Sequence, residues 1–413
     1  MAQLPGCAAS PRHVRSLVLR WLALFAAGFV LTVPFPYHLL PSPGHYLAPL
    51  FAPLRRWLAE TVLRLPPPYT LAVQSDSTGM WLHVAVLLLL AALGAGLWVW
   101  RWPRRPRSGT LGYWLHTGAS YYLALQLLEY GLDKVFKHQF YLPEPNTLYT
   151  PLGQLTPDIL YWSTMGASRP YTVLAGLAEV VPALLLLFRR TRLVGALLSV
   201  GVLLNVVAIN LGFDISVKLY SLILLLLSVV AAAPAGPVLY QTLVQRRPAA
   251  PPVLGPDLGP AQPWLKVGLI LLLLLEALLP YVQTGNFNDD LAPRPLLHGA
   301  YQVELCVRNA DTLAPGAAGR PKRVFVHREG YFITQAADDT LRDYQLRYGP
   351  ARLHLLDYDG ARTTLAYQLR PDGRLHLHGR WGPDSLLLIL RPLNWRRLPL
   401  LRPELHWTTD SYR

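Results

Sequence analysis

Hydrophobic positions along this chain follow two regimes. Up to about residue 283 they form long stretches rich in Leu, Ala and Val, and from about residue 298 they alternate with polar positions. A bilayer core of about 30 Å needs about 20 apolar residues in a helix. Seven stretches meet or approach that length, at about 17–35, 81–100, 114–137, 170–188, 193–212, 217–233 and 264–282. The third is the least apolar and the sixth is short, yet both keep a helical pattern, and lipid admits only helices or closed barrels. Trp81, Trp98, Trp100, Trp102 and Trp114 gather at span ends, where amphipathic rings prefer the interface.

The period-two region predicts strands at 323–328, 330–334, 343–347, 351–356, 365–370, 374–378 and 385–391, with turns at Pro371-Asp-Gly373 and Asp359-Gly360. Such spacing points to an antiparallel barrel or sandwich, most simply an up-and-down barrel, which either holds a small ligand or is filled by its own side chains. The predicted fold class is therefore a mainly α, polytopic membrane bundle of about seven transmembrane helices with a C-terminal antiparallel β-barrel or sandwich. Its parts are an N-terminal two-span region (1–110, with an outer loop at 36–80), a four-span core (111–236), a Pro-rich linker (237–263), a seventh span (264–283) and a β-rich domain (284–413). Within the outer loop, Tyr46 to Leu65 reads as a loosely amphipathic helix along the membrane surface, stopped by Pro66-Pro67-Pro68.

Composition agrees with the pattern. The chain has 413 residues, 52% hydrophobic and 15% charged, where a soluble domain carries about 25% charged residues. The net charge of +14 is clustered rather than striped, so a nucleic-acid partner is not expected. Arg12 and Arg15, then Arg101, Arg104, Arg105 and Arg107, then Arg189, Arg190 and Arg192, then Arg246, Arg247 and Lys266 fall on one side, against the single acid Asp257. The opposite loops mix fewer cations with Glu60, Asp76, Glu144, Asp158 and Asp214. The positive-inside rule then predicts a cytoplasmic N-terminus and an extracytoplasmic C-terminal domain. That topology separates Cys7 from Cys306, so no disulfide is expected between them. Leu4-Pro5-Gly6-Cys7 lacks a preceding apolar region, and residues 17–33 lack small residues at a cleavage position, which favours an uncleaved anchor over a lipoprotein or a cleaved signal.

Candidate chemistry is sparse in the tail. His376 and His378 share a strand face, but Leu375 and Leu377 are expected inward and the imidazoles in water, so no metal site is assigned. No nucleophile elbow, phosphate loop, dinucleotide fingerprint or zinc-protease motif is present, and catalytic residues stay unassigned. The spans are more informative, because ionisable residues there are costly and face the bundle interior. Glu179 lies about 14 Å along its span from Pro170. Thr172, Gly176, Glu179 and Ala183 form one small or polar face, and Pro182 is expected to bend the helix beside it. On the third span Tyr130 and Lys134 are one turn apart, as are Glu129, Asp133 and Lys137, while the fifth offers Asn205 and Asn210 and the following turn Asp214 and Lys218. The predicted ligand-binding cluster is Glu129, Tyr130, Lys134, Glu179, Asn205, Asn210, Asp214 and Lys218, lining a polar pocket in the outer half of the membrane. Two other readings compete: Lys134 and Glu179 neutralise one another and only fix helix register, or the cluster is a proton or ion relay. For Glu276, a partner to this cluster and a protonated residue in lipid are both open.

Several of these segments resemble a known family. Tyr122-Leu-Ala-Leu through Tyr130-Gly131-Leu-Asp-Lys134-Val-Phe136-Lys-His-Gln139-Phe140 resembles the first helix of the DoxX-like membrane family. Gly166-Ala-Ser-Arg-Pro-Tyr171-Thr and Ala175-Gly176-Leu-Ala-Glu179-Val resemble its glutamate helix. Phe188-Arg189-Arg190-Thr191, Asn205-Val-Val and Asp214-Ile-Ser-Val-Lys218-Leu resemble its later turns and helices. The likeness covers about 112–236, and the closing segment from Leu398 to Trp407 resembles long members with an extra domain. It implies a four-helix core, with Lys134, Glu179, Asn205, Asp214 and Lys218 as the carried-over positions. Val181-Pro182-Ala183 departs from the Gly-Gly pair the family often has there. Members similar to subunits of thiosulfate:quinone oxidoreductase imply a small lipophilic ligand, a quinone being the candidate, bound in support of a redox protein partner. The chain has no redox centre of its own, so electrons would enter from that partner or from the ligand. The alternative is a non-catalytic anchor or assembly protein presenting the β-domain, and a transporter is disfavoured because the halves show no internal repeat.

Overall fold

A computed structural model of the chain describes residues 11–102, 108–248, 262–402, 407, 408 and 410. Cys7, three of the linking arginines (Arg104, Arg105, Arg107), residues 249–261 of the Pro-rich linker and with them Asp257 lie outside the described residues. The helices are α1 (Pro11–Thr32), α2 (Gly44–Leu47), α3 (Ala52–Trp57), α4 (Thr78–Arg101), α5 (Ser108–Val135), α6 (Pro145–Leu148), α7 (Pro157–Ala167), α8 (Arg169–Leu186), α9 (Arg192–Gly212), α10 (Lys218–Ala232), α11 (Gly236–Leu239) and α12 (Gln262–Thr284). Each of the seven predicted spans is a helix. Those of α4, α8, α9, α10 and α12 are long and apolar enough to cross a bilayer, and α1 contributes a shorter apolar stretch, Ser16–Thr32. The chain is a multi-pass membrane protein.

Two compact units divide it: residues 1–135 with 174–287, and residues 136–173 with 288–413. In the first, α5 packs against α1, α10 and α12. Leu123, Leu127 and Leu128 of α5 meet Phe25 and Phe29 of α1, Ile223 and Leu227 of α10, and Leu273 and Ala277 of α12 in one core. This central position accounts for the polarity of α5: neighbours on several sides shield its ionisable residues from lipid. Helix α4 starts where the Ser77 hydroxyl accepts the Met80 N–H at 3.1 Å, an N-cap. The predicted amphipathic stretch in the outer loop is helical but broken, running through α2, a 3-10 turn at Ala48–Phe51, α3 and a π-turn at Leu58–Val62. Its Leu58 and Ala59 pack on Leu82 and Val86 of α4, so part of the face expected on the membrane surface is instead a helix contact.

The second unit holds strands β1 (Gly299–Arg308), β2 (Asp311–Thr312), β3 (Arg323–His327), β4 (Tyr331–Gln335), β5 (Leu341–Gly349), β6 (Arg352–Leu356), β7 (Arg362–Leu369), β8 (Leu375–Trp381) and β9 (Asp384–Leu393). Antiparallel pairing runs β1-β3-β4-β5-β6-β7-β8-β9, and β9 returns to β1, closing an eight-stranded up-and-down barrel; β2 only extends the edge of β1. Closure leaves no open edge. The interior is filled by side chains including Tyr301, Val324, Phe332, Leu353, Leu365, Leu377 and Leu388. Gly360 and Gly373, in the two predicted turns, take φ of +87° and +81°, which glycine adopts without strain. Strand β1 escaped the sequence reading, and a bulge between Val303 and Leu305 explains why. Tyr301 and Val303 point inward, then the extra residue shifts the inward position to Cys306 and breaks the alternation.

The outer face of β1, β3 and β4 is covered from within the same unit. Leu142, Leu148 and Tyr149 of the segment joining α5 to α8 pack on Ala300, Phe325 and Ile333. A chain of buried charges fastens the segment. Glu144 accepts from His298 Nε2 at 2.8 Å and lies 3.9 Å from His327 Nε2 and from Arg328 Nε. Arg328 pairs with Asp289, which also meets Arg294 at 3.1 Å. Lys137, fully buried, donates to the carbonyls of Phe140 and Gly166 at 2.6 and 2.7 Å, with Asp290 at 3.6 Å. A segment read from sequence as part of the four-span core is thus a component of the barrel unit.

Candidate functional site

The site begins at a backbone contact. A Cβ on Gly176 of α8 would stand 2.6 Å from the carbonyl oxygen of Gly131 in α5, and one on Gly131 would stand 2.9 Å from the carbonyl of Gly176. Small residues let the helices touch, and the next polar side chains then meet. Lys134 Nζ donates to Glu179 Oε2 at 2.8 Å and to the Tyr130 carbonyl at 3.2 Å, with the two side chains 9% and 5% exposed. The predicted face of α8 is the buried one: Thr172, Gly176, Glu179 and Ala183 all lie inside. Pro182 lies within α8, and its carbonyl would meet a Cβ on Gly195 at 2.9 Å, so α9 begins hard against that turn.

Beside the ion pair lies a network of phenols around Gln126. Tyr122 and Tyr220 share a hydrogen bond of 2.8 Å, and Tyr220 Oη donates to Gln126 Oε1 at 2.6 Å. Gln126 Nε2 faces Tyr37 Oη at 3.4 Å and Glu129 Oε2 at 3.5 Å. Phe35 stacks on Tyr220 with centroids 6.1 Å apart and presents an edge to Tyr130 at 6.5 Å. Tyr281 of α12 donates to Asp133 at 2.6 Å. The site therefore combines aromatic faces, an ammonium, phenol hydroxyls and carboxylates in one buried, hydrogen-bonded cluster.

Glu276 has a definite role. Fully buried, it accepts the backbone N–H groups of His38, Leu39 at 2.7 Å and Leu40 at 2.8 Å, with His38 Nδ1 at 3.6 Å. It ties the loop after α1 to α12, and that loop carries Phe35 and Tyr37 into the network. Neither reading left open by the sequence, a lone partner of the Lys134 cluster or a protonated residue in lipid, describes these contacts.

Of the eight predicted site residues, Glu129, Tyr130, Lys134 and Glu179 come together. The rest do not join them. Asn210 donates to Ser221 Oγ at 3.1 Å and links α9 to α10. Lys218 pairs with exposed Asp214 at 2.8 Å and with Asp76 at 3.6 Å, while Asp76 accepts the N–H groups of Lys218 and Leu219 and caps α10. Asn205 is exposed on the outside of α9. One cavity lined by all eight is corrected to a tighter cluster, because the polar face of α9 turns partly away from α5. The sequence reading passed over Phe35, Tyr37, Tyr122, Gln126 and Tyr281 as site residues. The signal was available for α5, since Tyr122, Gln126, Glu129 and Asp133 recur at helical spacing on one stripe. On the barrel, Leu375 and Leu377 are inside and His376 and His378 outside, as expected. No group of three or more His, Cys, Asp or Glu among the described residues is placed to hold a metal ion.

Fold and site together define a class: a multi-pass helical membrane protein with a buried ion pair and tyrosine network in its bundle and a closed, filled antiparallel barrel in its C-terminal region. Over 118 residues the chain is 32% identical to the uncharacterized protein YwoB of Bacillus subtilis strain 168, a match covering 26% of this chain and 69% of that protein. The chain belongs to the YwoB family. No protein-family model matches it, and no solved structure matches it.

Proposed function

We propose that this is a DoxX-like protein of the bacterial inner membrane that binds a small lipophilic ligand of the quinone class beside Lys134 and Glu179, in support of a redox partner protein. The N-terminus is cytoplasmic and the barrel extracytoplasmic in this reading, which rests on the excess of Lys and Arg in alternate connections. The observation that carries it is the company of the ion pair. A register-fixing pair needs only its two charges, whereas here Phe35, Tyr37, Tyr122, Tyr130 and Tyr220 supply ring faces and hydroxyls around a buried glutamine. Lys134 donates to a ligand carbonyl oxygen as its bond to Glu179 opens, and Glu179 orients the ammonium. The phenol and amide chain from Tyr122 through Tyr220 to Gln126 offers a route for protons, and electrons come from the partner.

Purification of the full chain from native membranes, followed by solvent extraction, tests the reading. A quinone co-purifying with the wild type and lost from Lys134→Ala and Glu179→Gln preparations that remain monodisperse supports it; equal quinone in all three, or none in any, refutes it. A second reading, a non-catalytic anchor presenting the barrel, is favoured by the mutual neutralisation of Lys134 and Glu179. It predicts that both substitutions leave partner activity unchanged in cells, provided the protein accumulates normally.

A further inference from the structure

A second cluster lies at one end of the helical unit, where α5, α9 and α12 begin and α8 ends. Arg189, just after α8, donates from Nη2 to Tyr113 Oη at 2.8 Å and stands over the Tyr113 ring at 5.6 Å. Arg192, opening α9, donates to the Leu186 carbonyl at 3.2 Å and stands over Tyr121 at 5.5 Å. Lys266 on α12 stands over Phe188 at 5.5 Å and within Coulombic reach of both arginines. Arg192 and Lys266 are half-buried. Among the described residues none of these three cations has a carboxylate within 4.0 Å; their contacts are aromatic rings, a phenol, Thr117 and a backbone carbonyl.

Like charges gathered at the edge of a low-dielectric bundle repel one another, and aromatic faces offset only part of that. The cations nevertheless converge from two separate parts of the chain, the α8–α9 connection and the start of α12. Whichever way the chain is inserted, the ends of these helices lie at the level of lipid headgroups. The exposed rings of Phe188 and Trp264 flank the place, as interfacial aromatics do. Guanidinium forks match phosphate oxygens in pairs, and an ammonium adds a point charge.

We propose that Arg189, Arg192 and Lys266 form a binding site for a phosphate-bearing anion, the headgroup of an anionic phospholipid seated between α5, α8 and α12. Tyr113 holds Arg189 in place and Phe188 packs beside the first acyl carbons. The site is distinct from the Lys134 cluster, and nothing in it depends on a quinone being bound there.

The test uses the full chain in nanodiscs of phosphatidylglycerol mixed with phosphatidylcholine, followed by detergent exchange and native mass spectrometry of retained lipid. Wild type keeps phosphatidylglycerol preferentially, and Arg189→Gln with Lys266→Gln lowers its apparent affinity roughly tenfold or more. Tyr113→Phe, which keeps the ring and removes only the hydroxyl, gives a smaller loss and guards against misfolding of the double variant. Exposed Arg190, which makes none of these contacts, separates a built site from diffuse surface charge: Arg190→Gln behaves as wild type. Millimolar inorganic phosphate distinguishes the sources, since a headgroup site resists displacement and a site for free phosphate does not. Equal retention by wild type, the double variant and Tyr113→Phe overturns the proposal, as does a loss in Arg190→Gln as large as in the double variant.

Discussion

Lys134 and Glu179 sit where two helices touch by their backbones, and both statements can be tested separately. Removing one member of a buried pair strands the other charge, at a cost of about 3–5 kcal/mol, whereas removing both by apolar groups is often close to neutral. Lys134→Met and Glu179→Leu are therefore each expected to lower the thermal midpoint in detergent more than the double variant does, and strictly additive losses would show that the pair is not coupled. Gly176→Ala is expected to cost about 1–3 kcal/mol, because its Cβ meets the Gly131 carbonyl and the Lys134 Cβ. An unchanged midpoint for that variant would mean that α5 and α8 do not cross there. Residues of this kind were legible in the sequence because an ionisable group in an apolar span has few permitted surroundings. Tyr37 and Phe35 were not, since they enter the site on a loop held by Glu276, a contact 236 to 238 positions distant along the chain.

At the scale of elements, the barrel unit couples its fold to pH through the charges that fasten the segment between α5 and α8. Burial alone would raise the Glu144 carboxyl, but the His298 hydrogen bond and the charges of His327 and Arg328 outweigh it and hold it below the usual carboxylate range. For Asp289 burial is likewise outweighed, by the bond from Arg294 and the Arg328 charge, so its carboxyl is also lowered. Burial lowers His327 and favours its neutral form. Groups lowered on folding stabilise the fold above their unfolded values and lose that contribution as pH falls through the folded ones. Stability is thus expected to decline in two stages on acidification, the first below about 6.5 from His327 and the second below about 4 from Glu144 and Asp289. Differential scanning fluorimetry from pH 7.5 to 3.5 checks this, and Glu144→Gln should flatten the acid stage; a midpoint constant across the range would contradict it. The strands after β2 announced themselves by alternation and turns. Strand β1 did not, since its bulge interrupts the period, and the place of residues 136–173 is set by packing on Phe325 that no local pattern encodes.

Across the whole molecule, the division into a helical unit and a barrel unit follows from two ways of satisfying backbone hydrogen bonds, within each helix and around a closed sheet. The most polar span could be central because other helices surround it, and that burial turned scattered Glu, Lys and Tyr positions into one connected network. Four of the predicted residues meet because α5 and α8 touch; of the others, Asn210 links α9 to α10, Asp214 and Lys218 pair at the turn between them, and Asn205 is exposed. The central claim is that this network receives a quinone-class ligand at Lys134, and titration of a short-chain naphthoquinone into the full chain in nanodiscs tests it most directly. Binding in the wild type, at least roughly tenfold weaker in Lys134→Ala and unchanged in Lys218→Ala, is the predicted result. Equal affinity in all three proteins, or no saturable binding in the wild type, would contradict it.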